Sequence, residues 1–365
     1  EMCIRDRAYV LLDATTGGVL AAQNPSQPVE PASLTKLMSA YVVFDAVRGG
    51  RVKLTDRFPI SERAARMPGS RMLAPQGERV SVEDLLKGMI VQSANDATIA
   101  LAEGVAGSVE SFVERMNRQA QALGLRHTRY MNPEGLTAAG HTTTADDLAI
   151  LSRRLLQDFP EYAGFYAIQR WRYPGTPAAN ETNRNLLLFR DPTVDGLKTG
   201  FTQAAGFCLV ATARRHFPAL GEGADGERRL IAVVLGASSD NARAAEAQKL
   251  LNWGYTATEV VRLFAPGQAV ATPPIWQGKL SEVALGLPQG IMVNVPAGQA
   301  RQLRTELVRY DPILAPKQRG ELLGSLRVFN ARNELVAEIP LQVLETVPEA
   351  GLWGRFWGAL RLWLQ

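Results

Sequence analysis

Three short groups of residues have types and spacings suited to acyl chemistry: Ser33-Leu34-Thr35-Lys36, Ser93-Ala94-Asn95 and Lys198-Thr199-Gly200. A serine hydroxyl is a poor nucleophile until a neighbouring base takes its proton. Three residues apart at a helix start, Ser33 and Lys36 share one face, so a neutral Lys36 amine can be that base. Lysine is neutral near physiological pH only if burial or a nearby cation lowers its pKa, and Lys198 is the candidate cation. Ser93-Ala94-Asn95 falls at a break between the helical runs Lys87–Val91 and Asp96–Val105, where a buried polar pair needs a reason. There Ser93 is expected to relay a proton to a leaving group and the Asn95 amide to hold a substrate carbonyl. Lys198-Thr199-Gly200 closes a strand whose edge can pair with an extended substrate, with Gly200 clearing the approach. The main-chain N–H groups of Ser33 and Phe201 are then the natural oxyanion donors. Each motif alone is weak, and the three in order carry the reading.

The elements that must position them are legible from periodicity. Apolar runs Ala8–Leu12 and Gly18–Ala22 flank Asp13-Ala14-Thr15-Thr16-Gly17 and predict a hairpin. Ser33–Val47 carries helical apolar spacing and stops at Gly49-Gly50. Ser81 with Asp84 and Thr144 with Asp147 cap predicted helices over Ser81–Val91 and Ala145–Leu156. Val194–Lys198, Phe207–Ala213 and Leu230–Leu235 read as strands of one sheet, followed by a helix from Asn241 to Asn252. An α/β or α+β domain over 8–257 is expected, then a small all-β domain over 258–346 that ends in the hairpin Leu326–Phe329 and Leu335–Ile339.

Residues 347–365 read as an amphipathic anchor. At roughly 100° per residue, Leu352, Trp353, Phe356, Trp357, Leu360, Trp363 and Leu364 fall in an arc of about 140°, opposite Arg355 and Arg361. The segment is too short and charged to span a bilayer and suits a helix lying in the membrane surface. A terminal helix docked on its own protein is the alternative, which three Trp and a Phe argue against. Residues 1–7 do not resemble the rest of the chain and are set apart as non-native adaptor sequence, with a secretory signal expected upstream of Ala8 in the full gene.

Composition narrows the field. The chain has 365 residues, is 46% hydrophobic and carries a net charge of only +4 with its basic residues scattered, which points away from nucleic acid. Two cysteines and three histidines show no metal spacing, so no metal or cofactor is expected, and Cys208 reads as a small buried hydrophobe.

At Pro31–Lys36, Gln92–Ala97, Asn183-Arg184-Asn185, Asp195–Gly200 and Leu250–Gly254 the chain resembles the low-molecular-mass penicillin-binding proteins, the serine-type D-alanyl-D-alanine carboxypeptidases of peptidase family S11. The resemblance covers nearly everything from Ala8 to Gln365. It implies a DD-peptidase/β-lactamase-like transpeptidase fold, a C-terminal β-sandwich and a terminal amphipathic helix. It implies hydrolysis of the terminal D-Ala-D-Ala bond of peptidoglycan pentapeptides, covalent inhibition by β-lactams, and a place on the periplasmic face of the bacterial inner membrane. By the same resemblance Ser33 is acylated, Lys36 is its base, and Ser93, Asn95 and Lys198 support them. Arg243 receives the substrate carboxylate, helped by Thr199 and Arg184. The chain departs from better-known members at Ala94, at Phe201 where they carry histidine, and at Glu134 where some relatives place a histidine near the site.

Two other readings share some of these features. A β-lactamase should add a Glu-x-x-Leu-Asn loop, and none occurs between Asn95 and Lys198. A non-catalytic wall-binding protein would have lost catalytic positions, and all are filled.

Overall fold

A strand covered on both faces reads as an unbroken apolar run, and Ala8–Asp13 (β1) is such a strand, with all six residues buried. The computed structural model describes residues 7–178, 181–217, 226–309 and 311–351. After β1 come β2 (Val19–Gln23), α1 (Lys36–Arg48), β3 (Arg57–Pro59), α2 (Glu62–Ala65), β4 (Arg79–Ser81), α3 (Val82–Val91), α4 (Asn95–Ala106), α5 (Val109–Ala122) and α6 (Ala145–Asp158). Beyond them lie α7 (Leu187–Arg190), β5 (Val194–Thr202), β6 (Gly206–His216), β7 (Glu227–Ala237) and α8 (Asp240–Ala257). Contacts divide the chain into two units, one of residues up to His216 with Arg228–Gly254, the other of Phe217–Glu227 and the residues from Tyr255 onward.

In the first unit the sheet order is β2-β1-β7-β6-β5. The predicted hairpin forms, with Tyr9 opposite Gln23 and the Asp13 carboxylate accepting the N–H groups of Thr15 and Thr16. Arg7, set apart in the sequence, nevertheless extends the ladder through its N–H to the Leu235 carbonyl, because main-chain pairing is indifferent to side chain. Alternate residues Ala8, Val10 and Leu12 join the core shared with α1, α3, α4 and α6. On the other face α8 comes so close that a Cβ at Gly254 would meet Leu11 and Leu230 at 2.8 and 2.7 Å. Helices therefore cover both faces, giving three layers.

The expected caps are present: Ser81 accepts from the Asp84 N–H and Thr144 from that of Asp147. Helix α5 was not anticipated, although its signals are in the sequence: Ser108 caps it, and Val109, Phe112, Met116 and Ala120 are buried at helical spacing. Two expectations need correcting. The helix predicted from Ser33 begins with a 3-10 turn over Ala32–Thr35, and α1 proper starts at Lys36. Lys198-Thr199-Gly200 does not end its strand, since β5 runs on to Thr202 through pairs with β6 as far as Gly206.

The second unit is all-β: β8 (Thr258–Phe264), β9 (Ala269–Ala271), β10 (Ile275–Trp276), β11 (Leu285–Gly286), β12 (Ile291–Pro296), β13 (Arg304–Arg309), β14 (Ile313–Leu314), β15 (Leu322–Phe329) and β16 (Leu335–Val343). A five-stranded sheet, β13-β15-β16-β11-β9, accompanies the pairs β12-β8 and β10-β14 around a core that includes Val293, Leu326, Val328, Leu341 and Val343. The hairpin β15–β16 forms where predicted, with Leu326 opposite Ile339. This unit continues past Thr346, because Val347 is buried and exchanges two main-chain hydrogen bonds with Lys317. The amphipathic segment 352–365 and residues 1–6 lie outside the described residues.

Candidate active site

The nucleophile turn is held in a conformation few residues adopt. Ala32 has φ of 48° and Ser93, across the cleft, 60°, left-handed values that cost a side-chain-bearing residue and persist where surroundings enforce them. The enforcing contacts are glycines. A Cβ at Gly135 would lie 1.9 Å from the Ala32 carbonyl oxygen, and one at Gly200 would lie 3.2 Å from Ala32 Cβ, the Leu34 nitrogen and the Pro31 oxygen. Gly200, which the sequence reading gave to the substrate approach and which lines the cleft, also clears room for the nucleophile's own turn. From behind, His141 fixes Thr35. Its Nδ1 accepts the Met131 N–H at 3.1 Å, so Nε2 carries the proton and donates to Thr35 Oγ1 at 2.8 Å. Burial holds this imidazole neutral, with its pKa down to about 4. Nothing local in the sequence points to His141, which reaches Thr35 from 106 residues away.

Lys36 Nζ donates to Ser33 Oγ at 3.1 Å, to Asn95 Oδ1 at 2.8 Å and to the Glu134 carbonyl at 2.5 Å. Opposite it, Lys198 Nζ donates to Ser93 Oγ and to the Thr199 carbonyl, both at 2.9 Å. These residues surround one cleft of about 260 Å³, lined by Ser33, Ser93, Asn95, Thr199, Gly200 and Phe201, with Glu134, Arg184 and Arg243. The three motifs are thereby brought together. Asn95 is more committed than expected: Oδ1 holds Lys36 and one N–H of its amide donates to the Pro68 carbonyl at 2.8 Å, leaving a single amide proton for a substrate. The neighbouring Asp96, to which sequence reasoning gives no task, accepts the N–H groups of Met72 and Leu73 at 2.9 Å and so shapes the loop that carries Gly69 and Ser70 into the cleft.

Burial is the main cause of the Lys36 shift, to a pKa of about 7, with Arg184 adding to it and Glu134 and Asp96 opposing. Of the two causes the sequence left open, burial leads, and Lys198 is itself pushed well down, by burial first and then by the Lys36, Arg184 and Arg243 cations.

The arginines differ in what already holds them. Arg243 is buried, with Nη1 donating to the carbonyls of Gly200 at 2.9 Å and Cys208 at 3.1 Å and Nη2 paired to Asp240. Arg184 is exposed on the cleft, with no hydrogen bond or ion pair among the described residues. The Phe201 side chain is 52% exposed and packs on Phe207, ring centroids 4.4 Å apart, and Arg243 lies over the latter ring.

A family model described as D-alanyl-D-alanine carboxypeptidase matches residues 2–239. The chain belongs to that family. A second model, the penicillin-binding protein 5 C-terminal domain, matches residues 259–349. The chain is 40% identical over 359 residues to the D-alanyl-D-alanine carboxypeptidase DacC of Escherichia coli, covering 96% of this chain and 86% of that one. Penicillin-binding protein 5 from Haemophilus influenzae superposes with a TM-score of 0.86 at 34% identity, covering 95% of this chain and 98% of its own. The cefotaxime-bound penicillin-binding protein D2 of Listeria monocytogenes gives a TM-score of 0.61 at 29% identity, over 70% of this chain and 99% of its own. Within that family frame, Cys208 is fully buried, as the sequence reading held.

Proposed function

We propose that this chain is a serine-type D-alanyl-D-alanine carboxypeptidase that hydrolyses the terminal bond of peptidoglycan pentapeptides through an acyl-enzyme on Ser33. The observation that carries the reading is the hydrogen-bonded pairing of Ser33 with Lys36 and of Ser93 with Lys198 around one cleft. Ser33 Oγ attacks the carbonyl carbon of the penultimate D-alanine while its proton passes to Lys36. The developing oxyanion is met by the main-chain N–H groups of Ser33 and Phe201. Ser93, held by Lys198, passes a proton to the departing D-alanine nitrogen as the C–N bond breaks, and the proton taken up by Lys36 replaces it. Water then attacks the acyl carbonyl, giving a proton by way of the neutral Lys36 amine to Ser33 Oγ as the ester C–O bond breaks, which leaves the shortened peptide as its carboxylate.

An exopeptidase needs an anchor for the terminal carboxylate, and a planar guanidinium suits it. Arg243 is the proposed receiver, lining the cleft with Thr199 and held against the Gly200 and Cys208 carbonyls, and the uncommitted guanidinium of Arg184 beside it assists. β-Lactams are read as covalent inhibitors that acylate Ser33 and leave slowly; that penicillin-binding protein D2 of Listeria monocytogenes has cefotaxime- and ampicillin-bound forms supports β-lactam binding at such a site. No helix among the described residues is long and apolar enough to cross a membrane. Attachment is assigned to residues 352–365 lying in the surface of the bacterial inner membrane, on its periplasmic face.

The test is release of free D-alanine from a pentapeptide, expected of the wild type and abolished in Ser33→Ala, together with mass spectrometry of the penicillin adduct. An adduct on any residue other than Ser33 would overturn the assignment. Rapid nitrocefin turnover without D-alanine release would make the chain a β-lactamase instead.

A further inference from the structure

One carboxyl enters the cleft that the three motifs leave without a task. Glu134 is 5% exposed and lines the cleft with Ser33 and Ser93, and its Oε2 is buried with no hydrogen-bond partner among the described residues. The loop that carries it is fixed. Ser39 Oγ donates to the Pro133 carbonyl at 2.6 Å, Lys36 Nζ to the Glu134 carbonyl at 2.5 Å, and Asn132 Oδ1 accepts the Gly135 N–H at 2.7 Å. Gly135 itself abuts Ala32 beside the nucleophile. A buried carboxyl oxygen left unpaired destabilises the fold, so its retention calls for a compensating use.

The charge balance of the site indicates that use. Lys36 on α1, Lys198 on β5, and the guanidiniums of Arg184, Arg243 and Arg63 are the cations whose fields reach the cleft and Glu134. The other carboxylates are committed, Asp240 to Arg243 and Asp96 to the main-chain N–H groups of Met72, Leu73 and Ala97. Glu134 is the one carboxyl among the described residues that line the cleft. During acylation the Ser33 O–H bond breaks and an N–H bond forms on Lys36, placing new positive charge among cations in a site of low polarisability, where an opposing charge acts strongly.

We infer that Glu134 is a positioning residue for acylation, its buried carboxylate being the counter-charge that sets how readily Lys36 accepts the Ser33 proton. This rests on the acyl-enzyme reading above and deepens it. The sign comes from the opposing influences on Lys36, where burial lowers the pKa and an ionised Glu134 raises it; burial raises the pKa of Glu134 itself, against the pull of the Lys36 and Arg63 cations that favour its carboxylate. Without the carboxylate Lys36 loses its proton at lower pH, so more of the enzyme is competent there, while the charge formed in the transition state is less well offset.

The experiment is the second-order rate of labelling by a fluorescent penicillin across the pH range, for wild type, Glu134→Gln and Glu134→Asp. The glutamine variant is expected to shift the acid limb to lower pH by roughly one unit, the size of effect a close partner charge produces, and to have a lower plateau. The shorter carboxylate of the aspartate variant should move the limb the same way by less, and it decides alone if the glutamine variant does not fold. A limb that stays in place in the folded variants, even with a lower plateau, means a structural role and overturns the inference. A wild type that is unlabelled at every pH would overturn the acyl-enzyme reading, and this inference with it.

Discussion

At the scale of single residues, the site is built by placing amines where water cannot solvate them. Lys36 carries three hydrogen bonds in a fully buried setting, and burial brings its pKa to about 7. Acylation by a labelled penicillin should therefore rise with pH through about 7 as Lys36 becomes neutral, measured in a stopped-flow series. A flat profile over that range would remove Lys36 from the role of base. The same shift affects stability. The folded pKa lies below the ordinary 10.5, so the unfolded chain binds more protons between these values, and the native state recovers stability as pH rises from about 7 towards 10.5. Lys36→Met is accordingly expected to raise the melting temperature at neutral pH, with the gain shrinking as pH approaches 10.5. Calorimetry at neutral and alkaline pH checks this, and an equal gain at both would exclude the charge as its cause.

At the scale of elements, the strained turn at Ala32 is kept in place by what packs on it. Gly135 has φ of 92° and touches the Ala32 carbonyl so closely that a methyl group cannot be fitted without moving one of the two segments. Gly135→Ala is expected to destabilise the protein by roughly 2 kcal/mol or more, combining left-handed strain with the clash. It should also slow penicillin labelling at least about tenfold, since displacing a nucleophile by even 1 Å is costly. Urea unfolding and labelling rates on the same preparation test both effects, and a variant with unchanged labelling would show that the turn holds itself.

At the scale of the whole molecule, each unit has its own core, one organised on the five-stranded sheet with helices on both faces and the other on β-sheets alone. The assigned chemistry lies wholly in the first. Removing residues 352–365 is expected to shift the protein from the membrane pellet to the supernatant while D-alanine release from small peptides is unchanged. Pelleting of the shortened chain with membranes would place the attachment elsewhere.

Much of this was determined by the sequence alone, wherever the governing interaction is local. The hairpin at Asp13, the caps at Ser81 and Thr144 and the placing of Ser33 and Lys36 on one face depend on neighbours within a few residues, and the folded chain has them. Tertiary structure decided what depends on distant partners. Asn95 gives its carbonyl oxygen to Lys36 from 59 residues away, Ser93 meets Lys198 across 105, and His141 braces Thr35 across 106. Burial, which sets the basicity of Lys36 and strands the carboxyl of Glu134, is a property of the packed core, and no spacing along the chain encodes it.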